Sequence, residues 1–167
     1  MNVKLIITYD PAHISSCTES VKKLMDTIGA KPTFLKSKYH GIFLIDVSKP
    51  KEVVKKLKAL SKKNKELFGK TYRYIPVDKW VSSRVTDMAK AIKSLVPKIG
   101  LNEKWKMDLE KRYYHKFDYN ELILKLTEVV NREKIDLKKP QKIIKVEIVG
   151  SSAAITLLEP DELLLIS

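Results

Sequence analysis

A carboxylate three residues from an imidazole can do general-base work, and Asp10-Pro11-Ala12-His13 is the string with that spacing. It follows an apolar run, so a polar loop leading from a strand into a helix explains it as well, and that is the reading adopted here. The three histidines, His13, His40 and His115, are scattered and form no HxxxH pair or HxE zinc signature. Cys17 is the single cysteine, which rules out an internal disulfide, a cysteine-rich zinc site and the paired cysteines of a zinc deaminase. Five glycines leave little material for a phosphate cradle, and neither GxGxxG nor a P-loop occurs. The pairs Ser15-Ser16, Ser82-Ser83 and Ser151-Ser152 fall at element ends, where capping and turn roles account for them. The chain therefore reads as a non-catalytic protein with no cofactor and no metal.

Binding chemistry is better represented. Lysine and arginine total 33 against 20 acidic residues, a formal charge of +13, which attracts polyanions of any kind. A membrane is the weaker partner. No apolar run approaches the ~20 residues of a span, and the basic helix expected over 51–65 has no Trp or Phe on its apolar face. Met1 to Thr8 alternates too soon and too briefly for a signal peptide, and one buried thiol suits a reducing cytoplasm.

Three basic clusters stand out. The first runs through Lys49, Lys51, Lys55, Lys56, Lys58, Lys62, Lys63 and Lys65, and is either a phosphate-binding helix face or a solvated one. The second interleaves Lys104, Lys106, Lys111, Arg112 and Lys116 with Trp105, Tyr113, Tyr114 and Phe117. Cations beside rings suit the phosphates and unstacked bases of single-stranded RNA. Tyr113 and Tyr114 lie past the expected strand, free to face a ligand, whereas Trp105 belongs to the core. The third comprises Lys134, Lys138, Lys139, Lys142 and Lys145. Arg73 and Arg112 carry planar forks suited to bidentate phosphate contact, with a salt bridge to Asp78 or Glu110 as the alternative.

These residues need elements to hold them. Lys4 to Tyr9 reads as a strand. Ser16-x-x-Glu19 is a capping-box signature for a helix carrying Cys17, Val21, Leu24, Met25 and Ile28 on its apolar face, closed by Gly29. Strands follow at Thr33 to Lys36 and Ile42 to Val47. A helix then starts at Pro50 with Val53, Val54, Leu57, Leu60 and Leu67 inward, and Thr71 to Val77 completes a βαββαβ order, the ferredoxin-like signature.

After a short boundary at Val77 to Ser82, a second block begins at Ser82 or Ser83, and Val85, Met88, Ala89, Ile92, Leu95 and Val96 repeat at helical spacing until Pro97 stops the helix. A half-buried strand carries Trp105, Met107 and Leu109, and Asp118 caps a helix with Leu122, Ile123, Leu126, Val129 and Val130 inward. Strands follow over Ile143 to Val149 and Ala153 to Leu158, with a short last one in Leu163 to Ile166. The expected class is α/β (α+β), with the second block built on a mixed sheet that includes at least one parallel pair.

Four strings recur in order: Tyr72-Arg73-Tyr74-Ile75-Pro76-Val77, Lys111-Arg112-x-x-His115, Ile135-Asp136-Leu137-x-x-Pro140-Gln141 and Val146-Glu147-Ile148. Together they resemble the THUMP domain family, and within it the tRNA cytidine acetyltransferase adaptor branch. The resemblance implies a ferredoxin-like domain over 1–78 and a THUMP domain over 79–167, with the acceptor end of tRNA, including the 3′ CCA, as ligand. Arg73 and Pro76 match the branch's Arg-x-x-Pro, and Lys111, Arg112 and His115 its Lys-Arg-x-x-His. Asp136, Leu137, Pro140, Glu147 and Ile148 match stretches with a structural look.

The residues expected to meet RNA are therefore Lys55, Lys58, Lys62, Arg73, Lys104, Lys106, Lys111, Arg112, Tyr113, Tyr114, His115, Lys116 and Lys142. The chain lacks the extended tails of the eukaryotic adaptors and so resembles an archaeal member. No enzyme follows the domain, so the resemblance implies a separate tRNA-modifying partner, an acetyltransferase making N4-acetylcytidine. Two other readings stay open: an RNA-modifying enzyme with an unrecognised active site, and a general RNA-binding accessory protein.

Overall fold

The structure is a computed structural model describing residues 2–166, and it divides into two units: Met1–Val77 with Asp161–Ser167, and Asp78–Pro160. In the first unit, β1 (Leu5–Tyr9) is buried at every position, as a central strand must be. The chain then turns on Asp10, whose carboxylate accepts the Ala12 N–H at 3.0 Å, with Pro11 opening a 3-10 turn. α1 (Ile14–Thr27) follows at once and buries Cys17, Val21, Leu24 and Met25. The helix thus starts before the expected capping box. Ser16 sits in its first turn and donates its hydroxyl to the His13 carbonyl, and the Asp10–Pro11 turn sets the helix start instead. Gly29 closes the helix at φ +75, where the Ala30 N–H reaches back to the Met25 carbonyl at 2.8 Å.

β2 (Thr33–Leu35) and β3 (Ile42–Asp46) form an antiparallel hairpin. α2 (Pro50–Lys63) places Pro50 in its first turn and buries Val53, Val54 and Leu57. Leu67, expected on that stripe, is exposed; the 3-10 turn after α2 rotates the chain so that Phe68 enters the core in its place. β4 (Thr71–Pro76) pairs with β1. The sheet order is β2-β3-β1-β4, with β9 (Leu164–Leu165) added beyond β4, and every pairing is antiparallel.

That last strand revises the expected boundary. The span 79–167 was assigned to the second domain, but β9 pairs Arg73 with Leu165 and Tyr74 with Leu164, and buries Leu164 in the first core. The units divide between Val77 and Asp78, inside the expected boundary of Val77 to Ser82, and most of that stretch is β5 (Lys79–Ser82), an edge strand antiparallel to β8 (Ser152–Leu158).

The second unit continues with α3 (Val85–Leu95), β6 (Trp105–Arg112), α4 (Tyr119–Thr127) and β7 (Lys142–Val149). Its sheet runs β5-β8-β7-β6, and β6 and β7 are the expected parallel pair. Asp118 caps α4 by accepting the Glu121 N–H at 2.8 Å. Trp105, Met107 and Leu109 alternate into the core with Ile144, Val146 and Ile148 of β7 and Met88 and Ile92 of α3.

Trp105 is 2% exposed and donates its indole N–H to the Arg132 carbonyl at 3.1 Å. Arg132 in turn donates to the Ile99 and Val96 carbonyls at 2.7 and 3.2 Å, tying down the chain after α3. Trp105→Ala should therefore remove both packing and a partly buried hydrogen bond, at about 3–5 kcal/mol. A thermal melt checks this, and a melting temperature equal to that of the unmutated protein would contradict the core assignment.

Candidate nucleic-acid interface

β6 divides its basic residues between two ends roughly 23 Å apart, at about 3.3 Å per residue. At the start of β6, the Lys104 carbonyl accepts N–H bonds from Gln141 and Lys142. The cations here are largely answered by carboxylates. Lys104 lies 3.7 Å from Asp136, and Lys142 lies 3.0 Å from Glu103 and 4.0 Å from Glu159. Lys106 is half-buried one residue into the strand. The expected cluster of Lys104, Lys106, Lys111, Arg112 and Lys116 is thus not one patch.

The far end of β6 gathers the rest. Arg112 holds the turn between β7 and β8 by accepting the Gly150 N–H at 2.8 Å. Ser83 donates its N–H to the Ser151 carbonyl and its hydroxyl to that of Gly150, so the start of α3, with exposed Arg84, belongs to the same end of the sheet. Arg112 gives its Nε to Glu147 at 3.4 Å, and its two outer guanidinium nitrogens have no partner among the described residues. Tyr113 follows at φ +56, a conformation that L side chains rarely adopt, and its ring is 53% exposed. His115 and Lys116 are exposed, and the ammoniums of Lys116 and Lys125 lie 5.7 and 5.1 Å from the centre of the Phe117 ring.

Two expected contacts fail here. Tyr114 is 7% exposed and packs in the core of the second unit, because the reversal at Tyr113 swings the next side chain inward. Its hydroxyl is buried without a partner, and burial pushes its pKa above the ordinary tyrosine value. It cannot stack on a base in this conformation. Lys111, on the core-facing parity of β6, turns its ammonium to the Tyr114 carbonyl at 3.3 Å.

Arg112 is anchored by buried charge. Glu147 and Lys145, both on β7, have no exposure, and their Oε2 and Nζ lie 3.1 Å apart; Lys145 also lies 3.5 Å from Asp108. In register, Lys145 faces Asp108 and Glu147 faces Glu110, so Glu147 would meet only like charge across the strand pair without its diagonal neighbour Arg112. Lys145 thus leaves the third basic cluster. It is held by charge, since its ammonium makes no well-aligned hydrogen bond.

In the first unit, Lys55 and Lys62 are exposed on α2 and Lys58 is half-buried. Lys51, Lys55, Lys58 and Lys62 share one helix face, and Lys55 lies 3.9 Å from both Asp161 and Glu162. Arg73 is half-buried on β4 between Thr8 and Leu165. Asp10 and His13, the catalytic-looking pair, lie 3.9 Å apart, with Asp10 committed to its capping bond. Among the described residues no group of three or more His, Cys, Asp or Glu could hold a metal ion, and no helix is long and apolar enough to cross a membrane. Sequence reasoning missed Arg84 and Lys125. Lys125 carried a faint signal, as a polar position on the helix capped by Asp118; Arg84 carried none until β5 was known.

No protein-family model matches the chain, and no curated protein does. Solved structures match in fold. PH1313 from Pyrococcus horikoshii OT3 superposes with a TM-score of 0.63 at 18% identity, over 95% of this chain and 55% of that one. TrmN from Thermus thermophilus gives 0.58 at 14%, over 92% and 44%. A 4-thiouridine synthetase, solved as an RNA complex with bound ATP, gives 0.51 at 20%, over 93% and 41%. The fold is shared. The chain spans about half the length of these structures.

Removing one member of the buried ion pair should be far worse than removing both. Glu147→Ala is expected to destabilise by about 3–5 kcal/mol, because Lys145 then stays buried with Asp108 as its one carboxylate, while Lys145→Met with Glu147→Leu should be close to neutral. Urea unfolding separates the two, and equal losses would show that the pairing is not what matters.

The Asp136 turn gives a pH test. Backbone N–H bonds from Lys139 and Lys138, at 3.0 and 2.9 Å, hold its carboxyl below the ordinary aspartate range, with Lys104 adding to the effect. A carboxylate lowered on folding contributes stability that is full above its unfolded pKa of about 3.9 and is lost as pH falls through the lower folded value. The Lys138 and Lys139 amides should therefore stay protected from exchange at pH 5 and lose protection below about pH 4, as NMR would show.

Proposed function

We propose that this chain is a THUMP-domain protein that binds the acceptor end of tRNA, with its 3′ CCA, and presents the tRNA to a separate modification enzyme. The observation that carries the reading is the surface at the end of β6. There Arg112 ends the strand, exposed Tyr113, His115 and Lys116 follow it in the chain, and the ammoniums of Lys116 and Lys125 lie over the Phe117 ring. Point charges meet phosphates, and a ring fixed by the backbone meets an unstacked base. The fold shared with a 4-thiouridine synthetase, itself solved with RNA, supports the same ligand class. So does the βαββαβ unit ahead of the mixed sheet, which is the domain order the resemblance implies.

The protein acts in this reading as an adaptor and not as the catalyst, and its partner is an acetyltransferase that makes N4-acetylcytidine. The engaged state of Asp10 supports that division of labour. Purified chain incubated with tRNA and acetyl-CoA should give no product without a partner enzyme; product would instead favour an RNA-modifying enzyme.

Competition binding with intact tRNA, tRNA trimmed of CCA and an acceptor-stem minihelix tests the ligand. Trimming should weaken binding about tenfold or more, since one stacked base is worth roughly 1–3 kcal/mol and 1.4 kcal/mol is a factor of ten. Equal affinity for intact and trimmed forms would leave a nonspecific basic RNA binder. Lys116→Glu with Lys125→Glu lies outside the buried ion network and should reduce affinity while leaving the melting temperature unchanged. The triple change Lys55→Glu, Lys58→Glu and Lys62→Glu should reduce affinity and flatten its salt dependence; unchanged binding at low salt would mark α2 as a solvated face.

A further inference from the structure

We propose that the open edge of β5, with the groove between β5 and α3, takes up an extended acidic segment of a partner protein as one more antiparallel strand. The ladder to β8 shows which backbone groups are spare. Ser83 donates its N–H to the Ser151 carbonyl at 2.9 Å, and the register runs back from there through Val81 opposite Ala153 and Lys79 opposite Ile155. Bonds in an antiparallel ladder recur at every second residue. Val81 and Lys79 therefore bond towards β8, while Trp80 and Ser82 turn their N–H and C=O groups to the outside. Those groups meet no partner among the described residues. The opposite edge of the sheet differs, since the outward N–H and C=O of Trp105 on β6 are taken by Lys134 and Asp136.

A groove of about 450 Å³ lies beside this edge, within the ~300–1,000 Å³ typical of ligand sites. Lys79 and Val81 reach it from β5, at alternate positions and so on one face. Asp87, Lys90, Ala91 and Ser94 reach it from one face of α3. Ala91 and Ser94 are small and leave room beside half-buried Val81 for a side chain of an added strand. Asp87, the carboxylate on the lining, accepts the Ser82 hydroxyl. Lys79 and Lys90 are exposed and make no ion pair among the described residues.

These features select the occupant. A row of outward N–H and C=O groups is answered by another extended backbone. Side chains of that strand opposite Lys79 and Val81 face the groove, so a carboxylate belongs opposite Lys79 and an apolar side chain opposite Val81. A second copy of this chain would bring its own lysines to the same place, at a formal charge of +13 on each copy. RNA would answer the lysines but leave the backbone row unmatched. The site goes beyond the RNA reading above and does not rest on it, because β8 and β7 separate β5 from β6 in the sheet.

The test is NMR titration of the 15N-labelled full chain with the end-blocked peptide Thr-Glu-Thr-Val-Thr-Glu-Thr. As a strand it presents Glu, Val and Glu on one face. One control peptide carries lysine in place of glutamate. Another carries N-methyl groups on the two threonines beside valine, whose N–H groups face Trp80 and Ser82 when valine lies opposite Val81. The acidic peptide should shift the amides of residues 79–94 saturably and slow exchange of the Trp80 amide about fivefold or more. Each control should bind about tenfold more weakly or worse, a loss of 1.4 kcal/mol. Lys79→Glu with Lys90→Glu should reverse the preference between the acidic and lysine peptides.

Shifts that never saturate, or equal affinity for the N-methylated peptide, overturn strand addition. Tighter binding of a single-stranded oligouridylate than of the acidic peptide at residues 79–94 assigns the lysines to RNA and overturns the peptide site. A dimer of the chain alone, seen by sedimentation and with the Trp80 amide already protected, gives the edge to a second copy and overturns it too. Titration with tRNA keeps the two readings apart. Peptide binding without tRNA shifts at residues 112–117 overturns the RNA reading alone, and tRNA shifts there without saturable peptide binding overturn the β5 site alone.

Discussion

Lys145 and Glu147 are both closed off from solvent on an inner strand of the mixed sheet, where their charged groups lie 3.1 Å apart and removing either would leave the other buried with less compensation. That pair constrains its surroundings. Glu147 faces Glu110 across the parallel register, so it needs a positive charge on the diagonal, and Arg112 supplies one from the last position of β6. The Nε side of Arg112 is thereby fixed, and its outer nitrogens are directed away from the pair. A long, flexible side chain becomes a preset fork, which lowers the entropy lost when it closes on a phosphate. Packing specificity in the sheet and readiness at its end come from the same ions.

Much of the fold is legible because period and punctuation agree. The inward stripes of α1, α2, α3 and α4, the left-handed residue at Gly29 and the Asp118 cap all lie where spacing puts them. The failures have physical causes. Lys79 to Ser82 is too short and too polar to show alternation, so its identity as a strand comes from β8 pairing with it, not from its own residues. The start of α1 was misplaced because a capping box and a proline turn compete within seven residues, and Asp10 takes the structural role.

The binding surface was only partly legible for a related reason. A charged residue at every second position of a strand reads as a wet face, yet on β7 that parity is dry, because its two opposite charges neutralise each other. Composition cannot distinguish the cases. Tyr113 and Tyr114 likewise look equivalent in sequence, and one backbone angle at Tyr113 sends one ring to solvent and the other to the core.

The return of the chain to β9 has a temporal side. A ribosome releases β1 to β4 first, but the strand that completes their sheet emerges only after the whole of Asp78–Pro160 has been made. Until then the outer edge of β4 exposes unpaired backbone groups, open to any extended segment nearby. The interval is shortened by economy of form: β9 is two residues long, joined by a 3-10 turn at Pro160–Glu162 that follows directly on β8. Closing the first sheet therefore reports that the second has been synthesised to its end, and a nascent chain stalled before Asp161 would carry an unsealed edge as its mark of incompleteness.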